Sequence, residues 1–199
     1  MTVLHLVRHG ESEWNLAGRV QGQSRQAGSL TAAGRAQALR TAELLASERP
    51  GAEAIFSSDL PRARETAAII AEVLGLPVEE DPELREQNLG TFEGQPFAAA
   101  LGEATVADEI DELWRHPDRR PPGGESITEL YLRVHTALDR YAAGHPGREL
   151  ILVTHGGVVR TATAPEDPRQ GTPIPRRPVA NATVATLHLE VDSTNTGVR

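Results

Sequence analysis

The chain has 199 residues, enough for one packed domain, with a formal net charge of −8 and 4% aromatic residues. Both figures weigh against a nucleic-acid partner, which wants a cationic face and aromatic platforms for its bases. There is no cysteine, and all 20 basic residues are arginine, so disulfide scaffolds, cysteine-ligated zinc, thiol nucleophiles, Schiff bases and a P-loop lysine are excluded by inventory. Covalent chemistry must then use His, Ser, Thr, Tyr, Asp or Glu.

In chain order, residues 3–7 form a short apolar, β-branched run that reads as a buried strand, and 54–57 and 150–154 read the same way. Residues 183–189 alternate and end the sheet. Helical patterns cover 31–47, 60–74, 107–115 and 126–143. Strands alternating with helices predict an α/β three-layer sandwich with a mostly parallel central sheet. Residues 1–199 read as a single domain.

Two stretches interrupt this rhythm. Residues 21–29 form a polar surface loop. Residues 165–178 hold five prolines and three arginines, which forbids more than one helical turn. Such a loop is functional or mobile: Arg169, Arg176 or Arg177 could reach an acidic substrate, and a mobile surface loop is the favoured reading. Residues 190–199 read as a flexible tail. No apolar run reaches the roughly 18 residues of a membrane helix and the N-terminus has no leader pattern, so a cytoplasmic protein without membrane contact is expected.

Three motifs carry chemistry. Arg8-His9-Gly10-Glu11-Ser12 follows the first strand, where open α/β sheets bind ligands. His155-Gly156-Gly157 follows the strand at 150–154 in the same manner. If the two strands are parallel neighbours, their spacing of about 4.8 Å brings both imidazoles to opposite sides of one small ligand. After the strand at 54–57, Ser58 or Asp59 is expected to cap a helix with Pro61 in its first turn. Arg62 then sits at the helix N-terminus, facing an anion, while Arg64 points to solvent. Two arginines and two histidines converging on one spot suit a tetrahedral dianion.

With these residues the chain resembles the histidine phosphatase superfamily, also called phosphoglycerate mutase-like. The resemblance rests on seven pieces in the family's order: Arg8–Ser12 with Trp14-Asn15; Gly18-Arg19-Val20-Gln21-Gly22; Leu30-Thr31 with Gly34; Ser57-Ser58-Asp59-Leu60 with Arg62-Ala63; Leu84-Arg85-Glu86 with Leu89-Gly90; Gly123-Gly124-Glu125-Ser126; and Thr154–Gly157. It implies that His9 is the nucleophile, that Arg8, Arg62 and His155 hold the phosphoryl oxygens, and that Glu86 donates the proton. Asn15, Gln21, Gly22 and Gly156 would bind substrate beside them. It also implies a small phosphorylated substrate and no metal or cofactor. Glu93 and Glu125 are assigned to structural hydrogen bonding, and His5, His116, His135, His145 and His188 to packing or surface.

The short span between Gly90 and Gly123 resembles the compact phosphatase branch, so a phosphomonoesterase is favoured over a mutase-type phosphoryl transfer or a non-hydrolytic phosphate-binding protein. Two departures stand out. The family's Asp-x-Pro before Leu30-Thr31 is replaced by the longer 23–29 stretch, and the helix after His155 stops by about Thr163. Oligomeric state is left open.

Overall fold

The computed structural model describes residues 1–98 and 105–190. Strands β1 (Thr2–Arg8), β2 (Ala52–Ser57), β3 (Val78–Glu80), β4 (Glu149–Thr154) and β5 (Val184–Leu189) form one sheet in the order β3-β2-β4-β1-β5. All neighbours are parallel except β5, which runs antiparallel to β1 at the edge. The helices are α1 (Glu13–Leu16), α2 (Ala32–Glu48), α3 (Pro61–Leu74), α4 (Val106–Arg115), α5 (Ile127–Gly144) and α6 (Gly156–Ala162).

Successive strand residues face opposite sides, so the buried apolar strands feed two cores. Leu4, Leu6, Phe56, Leu150 and Leu152 pack with α4, α5 and α6. Val7, Ile55, Ile151 and Val153 pack with α2 and α3 on the other face. Helix α5 shows why its sequence folds as it does: Ser126 and Glu129 close a capping box, and Ile127, Leu130, Val134, Leu138 and Tyr141 recur at helical spacing on its buried side. This is the predicted α/β sandwich.

Three local expectations need correction. The cap of α3 is Leu60, with no side-chain bond, rather than Ser58 or Asp59. Those side chains are drawn elsewhere, Ser58 to His155 and Asp59 to Arg25 and Arg85. Strand β3 went unpredicted because all three of its residues are exposed and two are Glu, so the ladder to β2 holds it rather than any apolar pattern. The 165–178 segment does contain one 3₁₀ turn, Pro168–Gln170. Its second half, however, is anchored by Ile174, only 2% exposed in the larger core, while most of its neighbours stay exposed. The tail expected at 190–199 lies outside the described residues beyond Glu190. Among the described residues, no helix is long and apolar enough to cross a membrane.

Candidate active site

The register of β1 against β4 pairs Arg8 with Thr154. The next residue of each strand is a histidine, so His9 and His155 stand side by side at the carboxyl edge of the sheet. The backbone N–H of His9 donates to the Thr154 carbonyl at 2.9 Å, which holds the two strand ends together. Their rings meet edge to face with centroids 5.1 Å apart. That corrects the expectation that the two imidazoles flank a small ligand from opposite sides: in-register parallel strands bring the rings into contact with each other.

Gly10 is required by close approach, since a Cβ there would come within 2.4 Å of the Gly34 carbonyl oxygen in α2. The Gly10 N–H donates to Thr66 Oγ1 of α3 at 3.1 Å. The chain leaving His9 is thus clamped between the two helices of the smaller core.

His9 is 2% exposed. Its Nδ1 lies 2.7 Å from the Gly10 carbonyl oxygen. Because a carbonyl only accepts, this network assigns the ring proton to Nδ1 and leaves a lone pair on Nε2. Arg62 Nε donates to that lone pair at 3.2 Å, which agrees with the assignment. Burial, then the Arg62 and Arg8 guanidinium groups, hold the His9 pKa well below the ordinary histidine value. The ring is neutral at cellular pH, and its Nε2 lone pair is engaged by Arg62.

His155 is fully buried and does not itself line the cavity. Its Nε2 lies 2.8 Å from Ser58 Oγ. That oxygen also accepts from the Leu60 N–H at 3.3 Å, so Ser58 holds the ring in place from one side. Burial first, then Arg62, His9 and Arg8, lower the His155 pKa in the same direction. Burial also lowers Arg62, to about 10, and lowers Arg8. Both remain charged at neutral pH.

Arg62, 1% exposed, comes from the first turn of α3. Its Nη2 donates to the Gly22 carbonyl at 2.8 Å. Arg64, two positions on, pairs with Glu80 at the surface, as predicted from helical geometry. Arg8 donates to the Val179 carbonyl.

Among the described residues, four buried side-chain polar atoms lack a hydrogen-bond partner, and three of them, Arg8 Nε, Arg62 Nη1 and His155 Nδ1, belong to this cluster around His9. Unsatisfied buried donors are costly and rare in folded proteins. The two guanidinium donors left unpaired side by side suit anionic oxygens.

Above them opens a cavity of about 330 Å3, lined by Arg8, His9, Asn15, Gln21, Gly22, Arg62, Glu86 and Gly156 among others. Its volume matches a small metabolite. The Oδ1 of Asn15 and the Oε1 of Gln21 are both turned to Ser12, leaving their amide N–H groups as donors. Glu86 Oε2 accepts from the Gly157 N–H at 3.0 Å, and Oε1 from the Gln87 N–H at 2.9 Å. Gly157 must be glycine for this, because a Cβ would sit 2.2 Å from Glu86 Oε1. Glu93 accepts from the Gln23 and Leu89 N–H groups, and Glu125 from the Asn88 N–H and Arg133, as expected of structural residues.

The cavity edge also holds side chains that the sequence reading missed. Arg160 on α6 and the buried Trp114 on α4 form one part of the wall, and Pro178 and Val179 another. Asn181 and Ala182 hold the end of β1: the Ala182 N–H reaches the carbonyls of Arg8 and His9, and Asn181 Nδ2 that of His9 at 3.1 Å. Arg160 and Asn181 belong to no motif, so spacing carried no signal for either.

The model of the histidine phosphatase superfamily (branch 1) matches residues 4–196. A metal-independent phosphoserine phosphatase of Arabidopsis thaliana is 40% identical over 162 residues, covering 80% of this chain and 66% of that protein. A probable phosphoglycerate mutase of Yersinia pestis, GpmB, is 41% identical, covering 78% of this chain and 70% of that protein. The chain thus spans about two thirds of the length of these curated relatives. Among solved structures, Bacillus stearothermophilus YhfR superposes with a TM-score of 0.78 at 31% identity, covering 96% of this chain and 92% of that one. A mycobacterial glucosyl-3-phosphoglycerate phosphatase complexed with VO3 has a TM-score of 0.76 at 28% identity, covering 94% and 90%. With the family model spanning nearly its whole length, the chain belongs to the histidine phosphatase superfamily, branch 1.

Proposed function

We propose that this chain is a metal-independent phosphomonoesterase that hydrolyses a small phosphorylated metabolite through a phosphohistidine on His9. The observation that carries the reading is the pair of unpartnered buried guanidinium donors, Arg8 Nε and Arg62 Nη1, around a neutral imidazole whose Nε2 lone pair faces guanidinium groups. Phosphoryl transfer asks chiefly for positioning and charge compensation, and Arg8, Arg62 and His155 supply both. In the first step His9 Nε2 bonds to phosphorus, the ester P–O bond breaks, and Glu86 gives its proton to the departing oxygen. In the second, water attacks the phosphohistidine, Glu86 takes the proton back, and inorganic phosphate leaves. Asn15, Gln21, Gly22 and Gly156 bind substrate at the cavity edge.

The test is to quench the enzyme during turnover of a 32P-labelled phosphomonoester and map the label. An acid-labile, alkali-stable phosphate on the His9 peptide of the wild type, absent from His9→Ala, is the expected result. Hydrolysis with no trapped label and full activity in His9→Ala would overturn the proposal. Appearance of an isomeric phosphoester in place of inorganic phosphate would redirect it to a mutase.

A further inference from the structure

The turn that leads into β5 reaches further than the end of β1. Its backbone is pinned from three sides. The Ala182 N–H donates to the Arg8 and His9 carbonyls at 3.0 and 3.2 Å, the Arg8 N–H donates to the Thr183 carbonyl at 3.0 Å, and Thr41 Oγ1 of α2 donates to the Ala182 carbonyl at 2.7 Å. Thr183 Oγ1 closes the turn on the Ala180 carbonyl at 2.7 Å. A side chain rooted in so fixed a backbone has little freedom of aim.

Asn181 stands inside this clasp, half-buried, and its Nδ2 donates twice: to the His9 carbonyl at 3.1 Å and to Asn15 Oδ1 at 3.2 Å. The two hydrogens of one amide thus meet two acceptors. The direction of this relay follows from its first member. A carbonyl only accepts, so the end of the Asn181 amide that faces His9 is the NH2. That group only donates, so the Asn15 atom it meets is the oxygen. The Ser12 N–H, donating to the same Oδ1 at 3.1 Å, fixes it a second time. What remains of the Asn15 amide is its own NH2, which among the described residues has no protein partner, and Asn15 lines the cavity with Arg8, His9 and Arg62. Asn181 is not among the described residues that line it.

We infer that Asn181 is a positioning residue of the phosphoryl site: it turns Asn15 donor-first into the cavity and ties that donor to the backbone of the nucleophile, from 166 and 172 positions away in the chain. This rests on the phosphatase reading. Without the tie Asn15 is held by Ser12 alone, whose one hydroxyl proton also serves Gln21 Oε1 at 2.8 Å. The amide can then rotate, and nothing but the main chain keeps its distance from His9. Asn181 touches no substrate in this scheme and acts through Asn15.

The experiment is a double-mutant cycle on kcat/KM for para-nitrophenyl phosphate, with wild type, Asn181→Ala, Asn15→Ala and the double variant. Rates are taken per folded molecule, counted from melting curves at the assay temperature, so an unfolded fraction does not enter. Each single change is expected to cost about 10-fold, the worth of one good hydrogen bond. The double variant should fall no more than about threefold below Asn15→Ala, because residues that act through one another are not additive, whereas a merely structural Asn181 would multiply the two losses to about 100-fold. Asn181→Asp, which keeps the shape but has no proton to donate at neutral pH, should fall at least as far as Asn181→Ala. Multiplied losses in the double variant, an Asn15→Ala rate equal to wild type beside a slow Asn181→Ala, or wild-type rates in Asn181→Asp would each overturn the inference while wild-type hydrolysis leaves the phosphatase reading intact. Failure of the wild type to hydrolyse any phosphomonoester would instead overturn that reading, and this inference with it.

Discussion

The floor and the far wall of the cavity are built by opposite means. The floor is a consequence of strand register: Arg8 and His9 stand at the end of β1, with His155 buried beside them at the end of β4, and backbone pairing sets the two strand ends abreast. The wall is a consequence of packing between distant segments, with Trp114 from α4, Arg160 from α6 and Arg176 from the proline-rich loop. Backbone register tolerates little displacement, because slipping by one residue inverts every side chain. A wall made of side chains and a loop can change without disturbing the sheet. On the proposed function, chemistry and choice of substrate would be separable in this molecule.

That separation can be broken from the floor first. His9→Ala should lower kcat on para-nitrophenyl phosphate by at least about 10⁴-fold, as removal of a covalent nucleophile does. A residual rate within tenfold of wild type would mean that the floor does not carry the reaction. Next in size, Glu86→Gln should lose about 10²- to 10⁴-fold on alkyl phosphates but far less on para-nitrophenyl phosphate, whose leaving group scarcely needs a proton. Gly157→Ala sharpens this, since its Cβ would displace the carboxylate. It should reproduce the same leaving-group dependence with Glu86 still present, and equal losses on both substrates would point to general damage.

A smaller effect tests the burial of the two imidazoles. Both pKa values are depressed in the folded protein, so the unfolded chain binds protons below about pH 6.5 that the folded one refuses. Stability is then full above that pH and falls as acid is added, with a slope of at most about 1.4 kcal/mol per pH unit for each ring. Melting temperatures between pH 7.5 and 5.5 should decline in the wild type and decline less in His155→Gln. Parallel curves would show that the rings are not buried neutral. The smallest expected change lies at Ala182, whose φ of 58° is left-handed. Ala182→Gly should relieve strain and stabilise by about 1 kcal/mol or less, readable as a shift of up to about 4 °C.

The same contrast explains what could be read from the residues alone. Arg8-His9-Gly10 and His155-Gly156-Gly157 were legible because a strand, its end and a tight turn are local features, and Arg62 because helix starts have their own signals. Arg160 was silent: its role depends on Trp114, 46 positions earlier, and on a carbonyl 17 positions later. Ser58 or Asp59 is the cap that the residues before Pro61 suggest, because nothing local says that a buried histidine will claim the Ser58 hydroxyl and two arginines the Asp59 carboxylate. The loop at 165–178 was judged by its prolines, which describe what it cannot form and not what it leans against.

The clasp of residues 179–182 on the end of β1 has a consequence for biosynthesis. Every other piece of the floor lies earlier in the chain, so a ribosome will have released both cores' helices and four of the five strands before Asn181 and Ala182 can grip the carbonyls of Arg8 and His9. The bonds that fix the end of β1 should therefore form late. A chain ending short of position 179 would hold most of its buried core while lacking the bonds that fix the end of β1.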